Sequence, residues 1–178
     1  MKKKPLLIIL FISMPFLIFS QINGDSPYDL YFGNGIYDNN SYNEFTIKNT
    51  HKSDVVVCLE DIYSGRKIRN SYIFKGTSYT MLKIPNGTYI VKVFYGNNWN
   101  PNKILLGGKI KGGFDRDFSF AVFDDKDDYV KMYQYVTETK TDEGIMENTH
   151  YSTLVLTLYG VVDGNAEQTE ISADEFFE

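Results

Sequence analysis

The chain has 178 residues, a formal net charge of −5, 43% apolar residues and a single cysteine. That length accommodates one domain with a core of its own. The acidic balance argues against nucleic acid and against anionic membrane surfaces, both of which select basic patches, and one cysteine excludes an internally disulfide-stapled scaffold.

Lys2, Lys3 and Lys4 open the chain, Leu6 to Phe19 is an apolar run interrupted only by Ser13 and Pro15, and Ser20 sets a small residue before polar Gln21. Basic, apolar, small is the order of a secretory signal peptide, so residues 1–20 read as an export signal cut after Ser20. The alternative is an uncleaved anchor. The apolar run is shorter than the ~20 residues of a spanning helix, and Pro15 would break one. No cysteine stands at the end of the apolar run to carry a lipid. The expected address is outside the cytoplasm: periplasmic, cell-surface or secreted, and not membrane-spanning after cleavage. The mature chain then holds 15 Lys and Arg against 23 Asp and Glu, a net charge of −8.

Residues 21–43 are dense in Asn, Gly, Asp and Tyr and read as an irregular aromatic segment, with one short strand at Asp29–Phe32. From residue 44 to 178 the pattern predicts a β-sandwich domain. Strands are expected at Glu44–Asn49, Asp54–Ile62, Lys67–Phe74, Ser78–Ile84 and Thr88–Tyr95, on alternating apolar residues and intervening turn signals. Pro85-Asn86-Gly87 is the clearest turn, with φ > 0 expected at Gly87. Thr88–Tyr95 is apolar on both faces and reads as a central strand. Gly96–Gly113 reads as a long loop. Arg116–Phe123, Tyr129–Thr137 and Tyr151–Tyr159 complete the strands, with Glu138–Thr149 a mobile polar connection. Ser172-Ala173-Asp174-Glu175 has a capping-box pattern and predicts one helical turn at the end. The expected fold is all-β: an antiparallel sandwich of about seven or eight strands, immunoglobulin-like or transthyretin-like.

Cys58 lies in the apolar run Val55–Leu59 and reads as a small buried hydrophobe. Trp99, flanked by Asn98 and Asn100 and preceded by Tyr95, is the candidate ligand contact, because flat rings beside amides suit a sugar. Its alternative is an anchor holding the loop onto the sandwich. Asp124, Asp125, Asp127 and Asp128 are weak candidates for Ca²⁺, but they lack the alternating spacing of a calcium loop, and a solvated turn is the plainer reading. Asp163, Asn165 and Glu167 match that spacing still less well. His51 and His150 stand in polar contexts without a nucleophile motif, so no residue is assigned a catalytic role and no cofactor is implied.

The stretch Gly76-Thr77-Ser78-Tyr79 through Pro85-Asn86-Gly87-Thr88-Tyr89, preceded by Ser64-Gly65-Arg66-Lys67, resembles a hairpin of the transthyretin-like, carboxypeptidase-regulatory-like sandwiches over Val55–Tyr95. That resemblance implies accessory, adhesive or structural roles. Phe94–Lys103, Gly112-Gly113-Phe114, Gly164-Asn165 and Glu175-Phe176 resemble a group of uncharacterised exported bacterial proteins, which implies no known activity. The expectation is an exported, non-catalytic module with a binding or structural role at the envelope and a glycan or an envelope protein as its partner. The alternatives are a carboxylate-based hydrolase and a surface-assembly subunit that uses an exposed edge strand.

Overall fold

The computed structural model describes residues 21–159 and 168–178; the expected signal at 1–20 and the residues Asp163, Asn165 and Glu167 lie outside them. In chain order the elements are α1 (Asp29–Phe32), β1 (Glu44–Asn49), β2 (Asp54–Asp61), β3 (Lys67–Ile73), β4 (Ser78–Leu82), β5 (Gly87–Leu105), β6 (Ile110–Phe123), β7 (Val130–Met132), β8 (Tyr135–Thr141), β9 (Gly144–His150), β10 (Thr153–Leu158), β11 (Thr169–Ile171) and α2 (Ala173–Phe177). A three-stranded sheet, β10-β1-β4, faces a larger one, β11-β6-β5-β2-β3, in which β7 pairs with the start of β5. The fold is therefore an all-β sandwich with a short C-terminal helix. Its pairs are antiparallel except β1 with β10, which run parallel from Glu44↔Thr153 to Asn49↔Leu158. No helix of the described residues is long and apolar enough to cross a membrane.

Alternation along β5 builds two cores. Tyr89, Val91, Val93 and Tyr95 point between the sheets, against Phe45, Ile47, Val57, Leu59 and Met81. Leu154 and Leu156 of β10 join this core half-buried. Phe94 points to the other face and meets Val56, Cys58, Phe114, Phe120, Phe176 and Phe177 in a second, aromatic core. A sheet apolar on both faces needs a second cover. Here the cover is α1, the outer part of the β5–β6 ribbon and α2. The α2 helix is fixed by its capping box, in which Glu175 N–H donates to Ser172 Oγ and Ser172 N–H donates to Glu175 Oε2.

Several sequence expectations are corrected. Gly96–Gly113 is a loop only at its tip: β5 runs on to Leu105 and returns as β6 from Ile110, with Trp99 paired to Phe114 and Asn100 to Gly113. Asn97, Trp99 and Asn100 are held on the partner strand, Asn98 takes a left-handed φ of 57, and the register shifts between Tyr95 and Asn97 and again between Asn100 and Ile104. Asp29–Phe32 is one helical turn rather than a strand, closed by Phe32 N–H on Tyr28 O and Gly33 N–H on Asp29 O. Glu138–Thr149 is ordered as most of a two-stranded hairpin, β8–β9. Gly87 begins β5 without a left-handed φ; that conformation falls at Lys83, with φ 57. The strand count among the described residues is eleven, because the expected Tyr129–Thr137 divides at Tyr133-Gln134 and the missed segments are strands.

Candidate functional site

Residues 21–43 run along the outer edge of β3. Gly24 N–H donates to Tyr72 O at 2.7 Å and Tyr72 N–H to Asp25 O at 2.7 Å. Asn70 then clamps the turn at α1: its Oδ1 accepts from Tyr28 N–H at 3.0 Å and its Nδ2 donates to Asp29 Oδ1 at 2.7 Å. Ile36 N–H donates to Ile68 O further along. The segment thereby satisfies backbone groups that an open strand edge would leave bare.

This clamp brings α1 against the far end of the β5–β6 ribbon. Tyr28 is buried, its hydroxyl donates to Gly112 O at 3.2 Å, and burial pushes its pKa well above the usual phenol range, with the nearby Cys58 adding to the shift. Trp99 packs edge-on against Tyr28, Tyr72 and Phe114, at centroid distances of 5.9, 5.5 and 5.1 Å. Gly112 makes that approach possible. Its φ is +101°, and a Cβ there would stand 3.0 Å from Trp99 Cζ2.

Between the two elements lies a cleft of about 320 Å³, lined by Pro27, Tyr28, Leu30, Tyr31, Pro101, Lys109, Ile110 and Lys111. Leu30 is fully exposed and Tyr31 is 45% exposed at its rim. Lys109 and Lys111 sit two residues apart on either side of buried Ile110. Neither has an ion-pair partner among the described residues. Apolar rings, two prolines and two uncompensated ammoniums converge here in an otherwise acidic protein. That arrangement can hold a small anionic group while a flat apolar face lies on Tyr31.

The residues expected to form a contact site are not brought together. Tyr95 faces the inter-sheet core, 5% exposed, with its hydroxyl donating to Gln168 Oε1 at 3.0 Å. Trp99 is half-buried on the opposite face of the same sheet. Asn98 is exposed just past the bulge, with φ 57, and Asn100 Nδ2 donates to Asp115 at 3.2 Å. Trp99 thus backs the cleft wall through Tyr28. Its neighbour Pro101 lines the cleft directly.

The acidic run forms a turn. Asp128 N–H donates to Asp125 O, Asp127 N–H donates to Asp125 Oδ1, and Asp124 Oδ1 accepts from Thr169 Oγ1. Asp124, Asp125, Asp127 and Asp128 do not converge as a ligand set, and among the described residues no group of three His, Cys, Asp or Glu does. Cys58 is fully buried, and burial pushes its thiol above the ordinary range. His51 lies 4.8 Å from the Tyr95 ring and accepts Ser53 N–H at Nδ1, while His150 stacks on Tyr135 in the β8–β9 hairpin.

One buried ionic group has no clear signal in the sequence. Glu60 Oε2 lies 2.9 Å from Lys67 Nζ and 2.7 Å from Lys92 Nζ, with side chains only 14%, 3% and 13% exposed. Lys92 also donates to Glu175 O at 2.8 Å, tying α2 to the sheet.

No protein family, curated protein or solved structure matches the chain.

Proposed function

We propose that this is an exported, non-catalytic β-sandwich module that binds an acidic saccharide at the cell envelope or outside the cell. The observation that carries the reading is the cleft in which Lys109 and Lys111 stand uncompensated beside the exposed faces of Tyr31 and Leu30. A carboxylated sugar has the two features this lining complements: an anionic group for the ammoniums and a C–H face for a ring or a proline. At about 320 Å³ the cleft matches the low end of small-ligand sites, so it suits one or two sugar units, including the end of a longer chain. Export rests on the order of residues 1–20. The non-catalytic part is supported by Cys58, whose thiol is sealed in the core, and by the separate, already engaged positions of His51 and His150. The resemblance of Val55–Tyr95 to transthyretin-like modules points to the same kind of accessory role.

Titration of the mature protein with oligogalacturonate tests the reading, followed by backbone NMR at residues 109–111 and by the emission of Trp99, the only tryptophan. Saturable shifts that vanish in Lys109→Glu/Lys111→Glu, and that a neutral oligosaccharide does not reproduce, are expected. No saturable shift would sink the saccharide reading. Equal binding by an acidic peptide would replace the saccharide with a protein partner.

A further inference from the structure

The β8–β9 hairpin is the one sheet among the described residues that stands apart from the sandwich. All fourteen of its residues are exposed, including Tyr135, Val136, Ile145 and Met146 at 51–63%. An isolated two-stranded ribbon is marginal in water. Its base is nevertheless firmly held. Gln134 accepts from Tyr42 N–H at 2.7 Å and donates to Asn40 O at 3.0 Å, and Ser152 Oγ accepts from Tyr133 N–H. The fold therefore presents two bare strand edges on a fixed stalk.

The register specifies what those edges fit. Thr141 pairs with Gly144 across the two-residue turn, so Thr141, Thr139, Thr137 and Tyr135 exchange hydrogen bonds with β9. The alternate residues Val136, Glu138 and Lys140 then turn their N–H and C=O groups outward, and their side chains share one face. On that face Glu138 lies directly opposite Glu147, and Lys140 lies opposite Ile145. Like charges directly opposite destabilise an antiparallel pair, and Lys140 has no ion-pair partner among the described residues.

A second β8 strand, antiparallel to the first with Thr139 on the two-fold axis, resolves both faults. Glu138 then faces Lys140 of the other copy, twice by symmetry. Thr137 faces Thr141 and Thr139 faces itself on the opposite face. Outward backbone groups meet outward backbone groups, as an antiparallel ladder requires. Centring the pair on Glu138 would instead oppose like charges on the axis, and centring it on Thr137 would leave Lys140 beyond the ladder. We infer that β8 is a self-complementary edge through which two copies of this chain join their hairpins into one four-stranded sheet. The occupant is a second copy because the charge pattern of the strand is its own complement. Seven residues a side is far below the ~20–30 of a standard stable interface, so the association is weak and concentration-dependent.

Cysteine scanning of the full mature chain tests the register, because native Cys58 is sealed in the core. Opposed Cα atoms at a non-hydrogen-bonded pair lie ~4.5 Å apart, within the ~4.4–6.8 Å that a disulfide spans. Under mild oxidation Thr139→Cys should cross-link to a covalent dimer several-fold faster than Thr137→Cys. Sedimentation over a concentration series supplies a second measurement on these exposed positions. Glu138→Lys alone and Lys140→Glu alone should each lose the dimer, and mixing the two variants should restore it as a heterodimer. Equal cross-linking rates at 139 and 137, or a mixture no more associated than its components, would overturn the inference.

Discussion

Asn43 Nδ2 donates to Asn86 Oδ1 at 3.0 Å, joining the start of β1 to the β4–β5 turn across forty-three residues. Asn43 is fully buried, and its Oδ1 accepts Ser152 N–H at 2.9 Å while its Nδ2 also reaches Ile84 O. Asn86 in turn accepts Gln134 N–H at 2.7 Å. One amide therefore fixes where β1, β4, β5 and β10 begin or end, and the stalk of the β8–β9 hairpin as well.

Replacing Asn43 with Leu should destabilise the protein by ~1–3 kcal/mol, because the buried Ser152 N–H loses its acceptor and water cannot reach it. A urea midpoint is the measurement. Asn86→Ala, at an exposed position, should cost less.

The C-terminal helix should matter out of proportion to its five residues. Phe176 is fully buried against Phe94 and Phe120, with centroids at 5.9 and 5.3 Å. Phe176→Ala should cost ~3–5 kcal/mol, the range for a buried aromatic truncated to alanine. Ser172→Ala removes only the cap and should cost ~1 kcal/mol. Thermal melts that rank these two in the opposite order would show that α2 does not cover the aromatic core.

Stability should fall as the solution is acidified through the imidazole range. Partial burial, and secondly the charge of Lys52, hold His51 below its ordinary value. The unfolded chain therefore takes up a proton near pH ~6.5, while the folded chain does so only at lower pH. Stability is complete above the unfolded value and is lost as pH falls toward the folded one. Melting temperatures measured from neutral to mildly acidic pH should decline, and His51→Gln should flatten that decline. An NMR titration placing His51 above its value in the unfolded chain would contradict the sign.

The parts of this fold legible in the sequence are those where local pattern and tertiary partner agree. The apolar alternation of β2, β3 and β5 and the Ser172–Glu175 box need no distant residue to be recognised. Asn97–Asn102 misled because Asn and Pro favour turns. Strand structure there is imposed by β6, through pairs such as Trp99↔Phe114, and by Gly96, whose missing Cβ leaves room for Phe114. The β8–β9 hairpin has no buried face and so lacks an apolar period, though the alternation Thr137, Thr139, Thr141 around Glu138 and Lys140 is a strand signal in polar residues. The cleft joins Pro27–Tyr31, Pro101 and Lys109–Lys111, segments that meet only once Asn70 has clamped α1, and no local pattern encodes that meeting.

Trp99 should behave as a supporting ring rather than a free one. Half-buried among Tyr28, Tyr72 and Phe114, it should emit between the fully exposed and fully buried limits and be only partly quenched by iodide. Trp99→Ala should cost ~2–4 kcal/mol, somewhat less than truncation of a fully buried aromatic. Full quenching with unchanged stability would mean that the ring does not back the cleft wall.

Glu60, Lys67 and Lys92 form a buried ionic trio. Two ammoniums share one carboxylate oxygen, at 2.9 and 2.7 Å, in a site where no side chain is more than 14% exposed. The three charges leave a net positive charge inside the fold. Glu60→Gln would strand both cations and should destabilise by ~3–5 kcal/mol, as removal of one partner from a buried ion pair does. Lys92→Met, by contrast, leaves Glu60 and Lys67 as a neutral pair and puts a chain of similar length against the sheet. It loses the bond to Glu175 O, so a smaller cost is expected, on the order of 1–3 kcal/mol. Urea midpoints for the two variants decide the matter. If Lys92→Met proved the more damaging, the trio's stabilising contribution would lie in its tether to α2 and not in charge balance around Glu60.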